Sequence, residues 1–457
     1  MKRLILIFVL TLNSSCSLDN KTGIWNDASN TPVDNKNSRS IKNTNIESRY
    51  EDLFIEDKVF NEEKSPENKF NSEIDSAIKI SNWFQQYAVS TNNISNFSYY
   101  GKKSLVSKSS KLSKFPISFN YLNKSIVFFE NNLISYDHKG KIFIYSQDVK
   151  KKTFVYDFYK KKFKNFKKKI YLTIDGDILY AADNLGYIYA INLTERSLLW
   201  AKNYGIPFRS NIKISNDQIF LANQDNVIYS INTKNGVKNW QFATSLTFLK
   251  SDFENSFALD KTNGNIFFLN TNGELYSISY STQKINWILN FKNPQLTGDT
   301  NLFISRPIVV KYDNLIVSTE KALFSYNKLN AKKNWTFAVE LILKPVVTSY
   351  YTYLITKTDL LICLNNKTGD VVWSKKIYKS LNKKKINKKN KKFYDLKIVN
   401  NEIYLFSNTG HLLSFDPNNG ELNNLKKISK KGISSEIVFL DDYMFLFDED
   451  NKLLKFD

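Results

Sequence analysis

Eight copies of one four-residue pattern govern what this chain can fold into. Ile142-Phe143-Ile144-Tyr145 is the first, followed by Ile188-Tyr189-Ala190-Ile191, Ile228-Tyr229-Ser230-Ile231 and Leu275-Tyr276-Ser277-Ile278. Leu323-Phe324-Ser325-Tyr326, Leu361-Ile362-Cys363-Leu364, Leu412-Leu413-Ser414-Phe415 and Leu453-Leu454-Lys455-Phe456 complete the set. Successive copies start 46, 40, 47, 48, 38, 51 and 41 residues apart. That interval holds four short strands and their turns, which is one blade of a β-propeller. The expected fold is therefore all-β, an eight-bladed propeller over residues 96–457.

A second mark runs in phase with the first. Twelve residues after the start of a quartet stand Trp200, Trp240, Trp287, Trp335 and Trp373, with Phe154 and Asn424 in the same register. Five of the seven tryptophans thus share one place in the repeat. A large flat side chain there can lie between blades and bury area in both. Gly186 and Asn226 precede their quartets, where a tight hairpin needs a residue that tolerates positive φ. The second repeat reads as strands near 169–174, 178–182, 187–192 and 198–203. The chain ends at Asp457, at the close of the third strand of repeat eight. Closure of the ring then needs a strand from the other end, and residues 105–108 are the candidate. They should pair antiparallel with the C-terminus.

Composition narrows the chemistry. The chain has two His, two Cys and two Met among 457 residues. A zinc site or a His-assisted nucleophile needs several such residues in one place. Neither His138 nor His411 has partners around it that would suggest catalysis. The formal charge of +21 is local. Residues 150–169 hold ten Lys and one acid, and residues 375–392 hold ten Lys and no acid, giving +9 and +10 of the total. Lysines in two loops are not a nucleic-acid groove.

The N-terminus reads as an export address. Lys2 and Arg3 precede the apolar run 4–12, which is too short to span a bilayer as a helix. Residues 1–15 are expected to be a signal peptide. Small residues before Cys16 resemble a bacterial lipobox, which makes Cys16 the expected lipidation site; that Ser17 and not Asp follows it implies, by the same resemblance, passage to the outer membrane, on its periplasmic face. Residues 16–95 then form a tether and lead-in to the propeller. From 17 to about 75 the composition is too polar to fold alone. A coil of about 60 residues reaches roughly 40–45 Å.

Gly186-Tyr187-Ile188-Tyr189-Ala190-Ile191-Asn192 with Trp200, and Thr368-Gly369-Asp370-Val371-Val372-Trp373, resemble PQQ-like repeats. Some proteins with such repeats are quinoprotein dehydrogenases, which hold a quinone over calcium, commonly beneath an adjacent cysteine pair. Cys16 and Cys363 are remote in sequence, and no cofactor is expected here. Lipobox, tether and propeller together resemble the BamB family of outer-membrane β-barrel assembly lipoproteins. Asn82-Trp83-Phe84-Gln85-Gln86 resembles the lead-in of its alphaproteobacterial members. The resemblance implies a non-enzymatic scaffold that docks on POTRA domains of the barrel-inserting subunit and meets nascent outer membrane proteins. It places the docking loop at Leu246-Thr247-Phe248-Leu249-Lys250, with Lys250 where the family has Arg. In the next loop it finds Asp299, and Ser305-Arg306-Pro307 nearer the place of the family's paired acids. The expected partner-binding residues are Leu246, Leu249, Lys250 and Asp299. The lysine stretches lie on links of the same kind and so on the same face, where they could meet acidic protein or lipid phosphates. The other readings are a PQQ-dependent periplasmic dehydrogenase and a periplasmic propeller that binds peptide or polysaccharide.

Overall fold

In the computed structural model, the structure describes residues 58–457 apart from 68–69, 113–125, 131, 160–162, 164, 247–253, 292–302 and 380–391. It also describes four two-residue strands between residues 17 and 50. The strands after residue 100 form eight antiparallel sheets in sequence order around a ring. The second blade is Ile170–Asp175, Ile178–Asp183, Tyr187–Asn192 and Ser197–Asn203, within a residue of the expected bounds. The ring closes as the truncated last repeat requires. Leu105–Lys108 pairs antiparallel with Leu453–Phe456 and supplies the outer strand of blade eight.

Position within the blade explains the two sequence signatures. The third strand, which carries the quartet, lies between neighbouring sheets and is covered on both faces. Ile188, Tyr189, Ala190 and Ile191 are all buried, so the quartet is a continuous apolar run and not an alternating one. The fourth strand is the outer edge. There Trp200 is buried between exposed or half-buried neighbours. The apolar clusters join adjacent blades, for example Ile142 and Ile144 of blade one with Leu172 and Leu179 of blade two.

Four of the five tryptophans of the register hydrogen-bond to the next blade, and the fifth, Trp240, is buried in one cluster with Phe257 and Tyr280 of it. The indoles of Trp200, Trp287, Trp335 and Trp373 donate to the carbonyls of Thr233, Lys328, Asn366 and Pro417, at 2.8, 3.2, 2.7 and 2.8 Å. Those acceptors lie in the turn between the third and fourth strands of the following blade. Gly369 in one such turn has φ +78°, and a Cβ built on it would stand 2.7 Å from Cγ of Trp335. The turn needs glycine for both its backbone and its ring contact.

Where it is described, the N-terminal arm, too polar in composition to fold alone, lies along the outer edges of the blades. Arg39–Ser40 adds in parallel to Trp240 and Gln241 on blade three, and Arg49–Tyr50 to Leu289 and Asn290 on blade four. Phe60 donates its N–H to the Ala338 carbonyl on blade five, with its ring 5.5 Å from that of Phe337. Lys64 bridges Ser374 on blade six in both directions. Ser72 then bonds Asn418 of blade seven. A polar segment cannot build its own core, but it can saturate an open strand edge with backbone hydrogen bonds.

Candidate functional site

The axis of the propeller is where the innermost strand of every blade presents an unpaired edge. Residues 80–97 fill this place as an inserted loop. The carbonyls of Trp83, Phe84, Ser90 and Thr91 accept from the N–H groups of Phe128, Ile174, Leu259 and Val310, on blades one, two, four and five. Ile80 accepts from Asp441 of blade eight, and Phe97 donates to Ile398 of blade seven. Asn92 donates to the carbonyls of Phe257 and Ile308, Asn93 to that of Val347 on blade six, and Lys213 of blade three donates to Asn92 at 2.7 Å. One loop therefore touches all eight blades. It enters and leaves at the face carrying the turns between first and second strands: Asp75 bonds Lys311 and Ser349 there, and Asn96 bonds Asn401.

At its tip the loop is strained and meets buried charge. Tyr87, Ala88 and Asn92 have φ of 62°, 63° and 60°, the left-handed region that a non-glycine residue adopts only when its surroundings enforce it. The Tyr87 N–H points to Glu436 at 3.4 Å. Lys397 lies between Asp395 at 3.1 Å and Glu436 at 3.3 Å, with its amine over Trp83. Lys169 pairs with Glu254 at 2.5 Å. Burial raises the Glu436 carboxyl against the pull of Lys397. It pushes Lys213 down to about 7, and with the repulsion of Lys397 it pushes Lys344 down to about 8. Lys397 itself is held above the ordinary amine range: burial opposes its charge, but the two carboxylates prevail. Most of these charges sit where a loop from one blade's fourth strand enters the next blade's first strand.

The same links carry the expected docking residues. Leu246 follows the outer strand of blade three and is 66% exposed. Its neighbour Ser245 is bonded to Glu274. Leu249, Lys250 and Asp299 lie outside the described residues, as does Cys16. The ends of their links are described and run to the axis: one ends at Glu254, the other at Arg306, whose guanidinium donates to the Leu341 carbonyl. Reasoning on motifs missed the inserted loop, although a signal was present. Residues 80–100 contain no charged side chain in a chain that is 24% charged.

A quinone over calcium does not fit the axis. Among the described residues no group of three or more His, Cys, Asp or Glu could hold a metal ion. Asp395 and Glu436 are already bridged by Lys397. Cys363 is a free thiol buried in the third strand of blade six. His138 and His411 lie near turns, away from this cluster, with Thr409 beside the ring of His411.

Comparison with known proteins agrees with the architecture. A family model described as outer membrane protein assembly factor BamB matches residues 146–375 and 262–457. No curated protein sequence matches the chain. The crystal structure of BamB from Moraxella catarrhalis superposes with a TM-score of 0.59 at 11% identity, covering 76% of this chain and 99% of that one. The quinohemoprotein alcohol dehydrogenase from Comamonas testosteroni gives 0.61 at 9% identity, covering 83% and 81%. The computationally designed Ika8 protein gives 0.52 at 10%, covering 79% and 98%. At these identities the superpositions speak for the fold alone.

Proposed function

The chain belongs to the BamB family of outer membrane protein assembly factors, and we propose that it is a non-enzymatic scaffold lipoprotein of outer-membrane β-barrel assembly. In this reading it docks on the POTRA domains of the barrel-inserting subunit through the links that carry Leu246, Leu249, Lys250 and Asp299. Cys16 carries the lipid that holds it to the periplasmic face of the outer membrane. The observation that carries the reading is the loop of residues 80–97. Its hydrogen bonds to the innermost strands around the axis support a reading in which this space serves the chain's own packing and not a cofactor. What remains for a partner is the rim, where Leu246 stands exposed.

The test is affinity purification of the tagged full chain from detergent-solubilised membranes. The large barrel-inserting subunit should be recovered, and Leu246→Glu should lower its recovery about tenfold, the effect expected of a charge placed in a small docking patch. Recovery of no barrel subunit, together with redox absorbance when quinone and calcium are added, would favour a dehydrogenase instead.

A further inference from the structure

The outer edges of the blades are not equally covered. The arm supplies a strand or a bridge to blades three, four, five and six. Among the described residues, the outer strands of those four blades show no exposed large apolar side chain, whereas three others do. Leu105 and Val106 on blade eight, Val155 on blade one, and Leu198 and Leu199 on blade two are between 42 and 51% exposed. These blades adjoin one another around the closed ring.

Register makes the comparison direct. On blade six, Ser374 exchanges backbone hydrogen bonds with Lys64, and the amine of Lys64 lies on the Val371 carbonyl. Ser374 pairs with Ile362, the second residue of its quartet. Val155 pairs with Phe143 and Ala201 with Tyr189, the second residues of theirs. Val155 and Ala201 therefore turn the same outward N–H and C=O to the edge that Ser374 turns to the arm. Val371 is 9% exposed beneath the arm, and its counterparts Leu105 and Leu198 are bare. The arm also shows what chemistry such an edge accepts. Phe60 packs on Phe337, and Glu63 meets both Lys379 and the N–H of Lys376. Among the described residues the edges of blades eight, one and two carry no arm strand, and they repeat the basic half of that pattern with Lys108, Lys152 and Lys202.

We propose that the outer edges of blades eight, one and two form a strand-accepting surface for an extended polypeptide supplied in trans, with apolar or aromatic residues next to acids. Backbone hydrogen bonds to the edge provide affinity, and the bare apolar side chains and lysines select the sequence. This goes beyond the assembly role and does not depend on it.

The experiment uses the full chain and, as probe, a fluorescein-labelled peptide of residues 58–66, read by anisotropy. Val155→Pro with Ala201→Pro removes two outward donors while sparing the inner ladder, because proline is tolerated on an edge. Leu198→Glu with Leu199→Glu removes the bare apolar side chains and sets like charge against the acids of the probe without touching the backbone. Binding in the micromolar range is expected, weakened about tenfold in either double variant, with unchanged far-UV circular dichroism and melting. Absence of binding to the intact chain overturns the proposal. So does binding that both double variants leave intact but Ser374→Pro abolishes, since the probe would then be exchanging with the arm.

Discussion

At the scale of the residue, the axis poses a problem of buried charge. Lys213 has no exposed surface and no carboxylate within hydrogen-bond reach among its described contacts. Its amine rests on the amide oxygen of Asn92 and the Val89 carbonyl. Burial lowers it from the ordinary 10.5 to about 7. Below pH 7 both folded and unfolded chains hold the proton, and the cost of the buried charge is present in full. As pH rises from 7 toward 10.5 the folded protein gives up its proton ahead of the unfolded chain, so stability rises. Lys213→Met should flatten the rise of urea-unfolding stability with pH across this window. An unchanged slope would mean that Lys213 keeps its charge when folded. Lys397 is the opposite case, since its two carboxylates hold the proton on it. The tryptophan register was plain in the sequence, because its spacing repeats in five blades. Lys213 was not, because nothing in a lysine's own neighbourhood in sequence says that a loop 121 residues away will enclose it.

At the scale of the element, the arm and the inserted loop behave as strands without a sheet of their own. The arm depends on few contacts per blade, so single changes should release it. Phe60→Ala removes the half-buried ring that packs on Phe337 and should cost about 1 kcal/mol locally, part of what full burial of such a ring contributes. The expected outcome is faster proteolytic cleavage near residues 58–66 with little change in global melting. Asp75 holds the turn from arm to loop. Burial works against its charge, but hydrogen bonds from Lys311 and Ser349 keep it down to about 2. This contribution is present above the ordinary carboxylate range and is lost as pH falls toward 2, so acid should loosen the same segment. Composition does not mark the contacts of this segment because hydrophobicity scales count side chains, and the described part of the arm is held largely by its backbone.

At the scale of the whole molecule, closure makes the ring one cooperative unit. Blade eight draws three strands from the C-terminus and one from residues 105–108. Removing residues 453–457 deletes the third strand and detaches Leu105–Lys108 with it. Such a chain should lose the whole propeller in one transition, seen as loss of near-UV circular dichroism and of cooperative melting. Retention of a seven-bladed fold with normal melting would show that the blades are energetically separate. The lysine-rich stretches were the loudest charge signal in the sequence. Four lysines of 150–169 and most of 375–392 lie outside the described residues. Lys169 joins the charges that the structure gathers at the axis, and the other charges gathered there are scattered residues such as Lys213, Glu254, Lys344, Asp395, Lys397 and Glu436.

The sequence by itself determined the number of blades, the position of the tryptophans between them and the strand that closes the ring. Each of these follows from local periodicity, which is written in the order of residues. Only the tertiary structure decided what lies at the axis and which outer edges the described part of the arm covers. Those outcomes depend on contacts between segments up to more than 300 residues apart, such as Lys64 with Ser374. They are made largely by backbone groups, which every residue carries and no sequence pattern distinguishes.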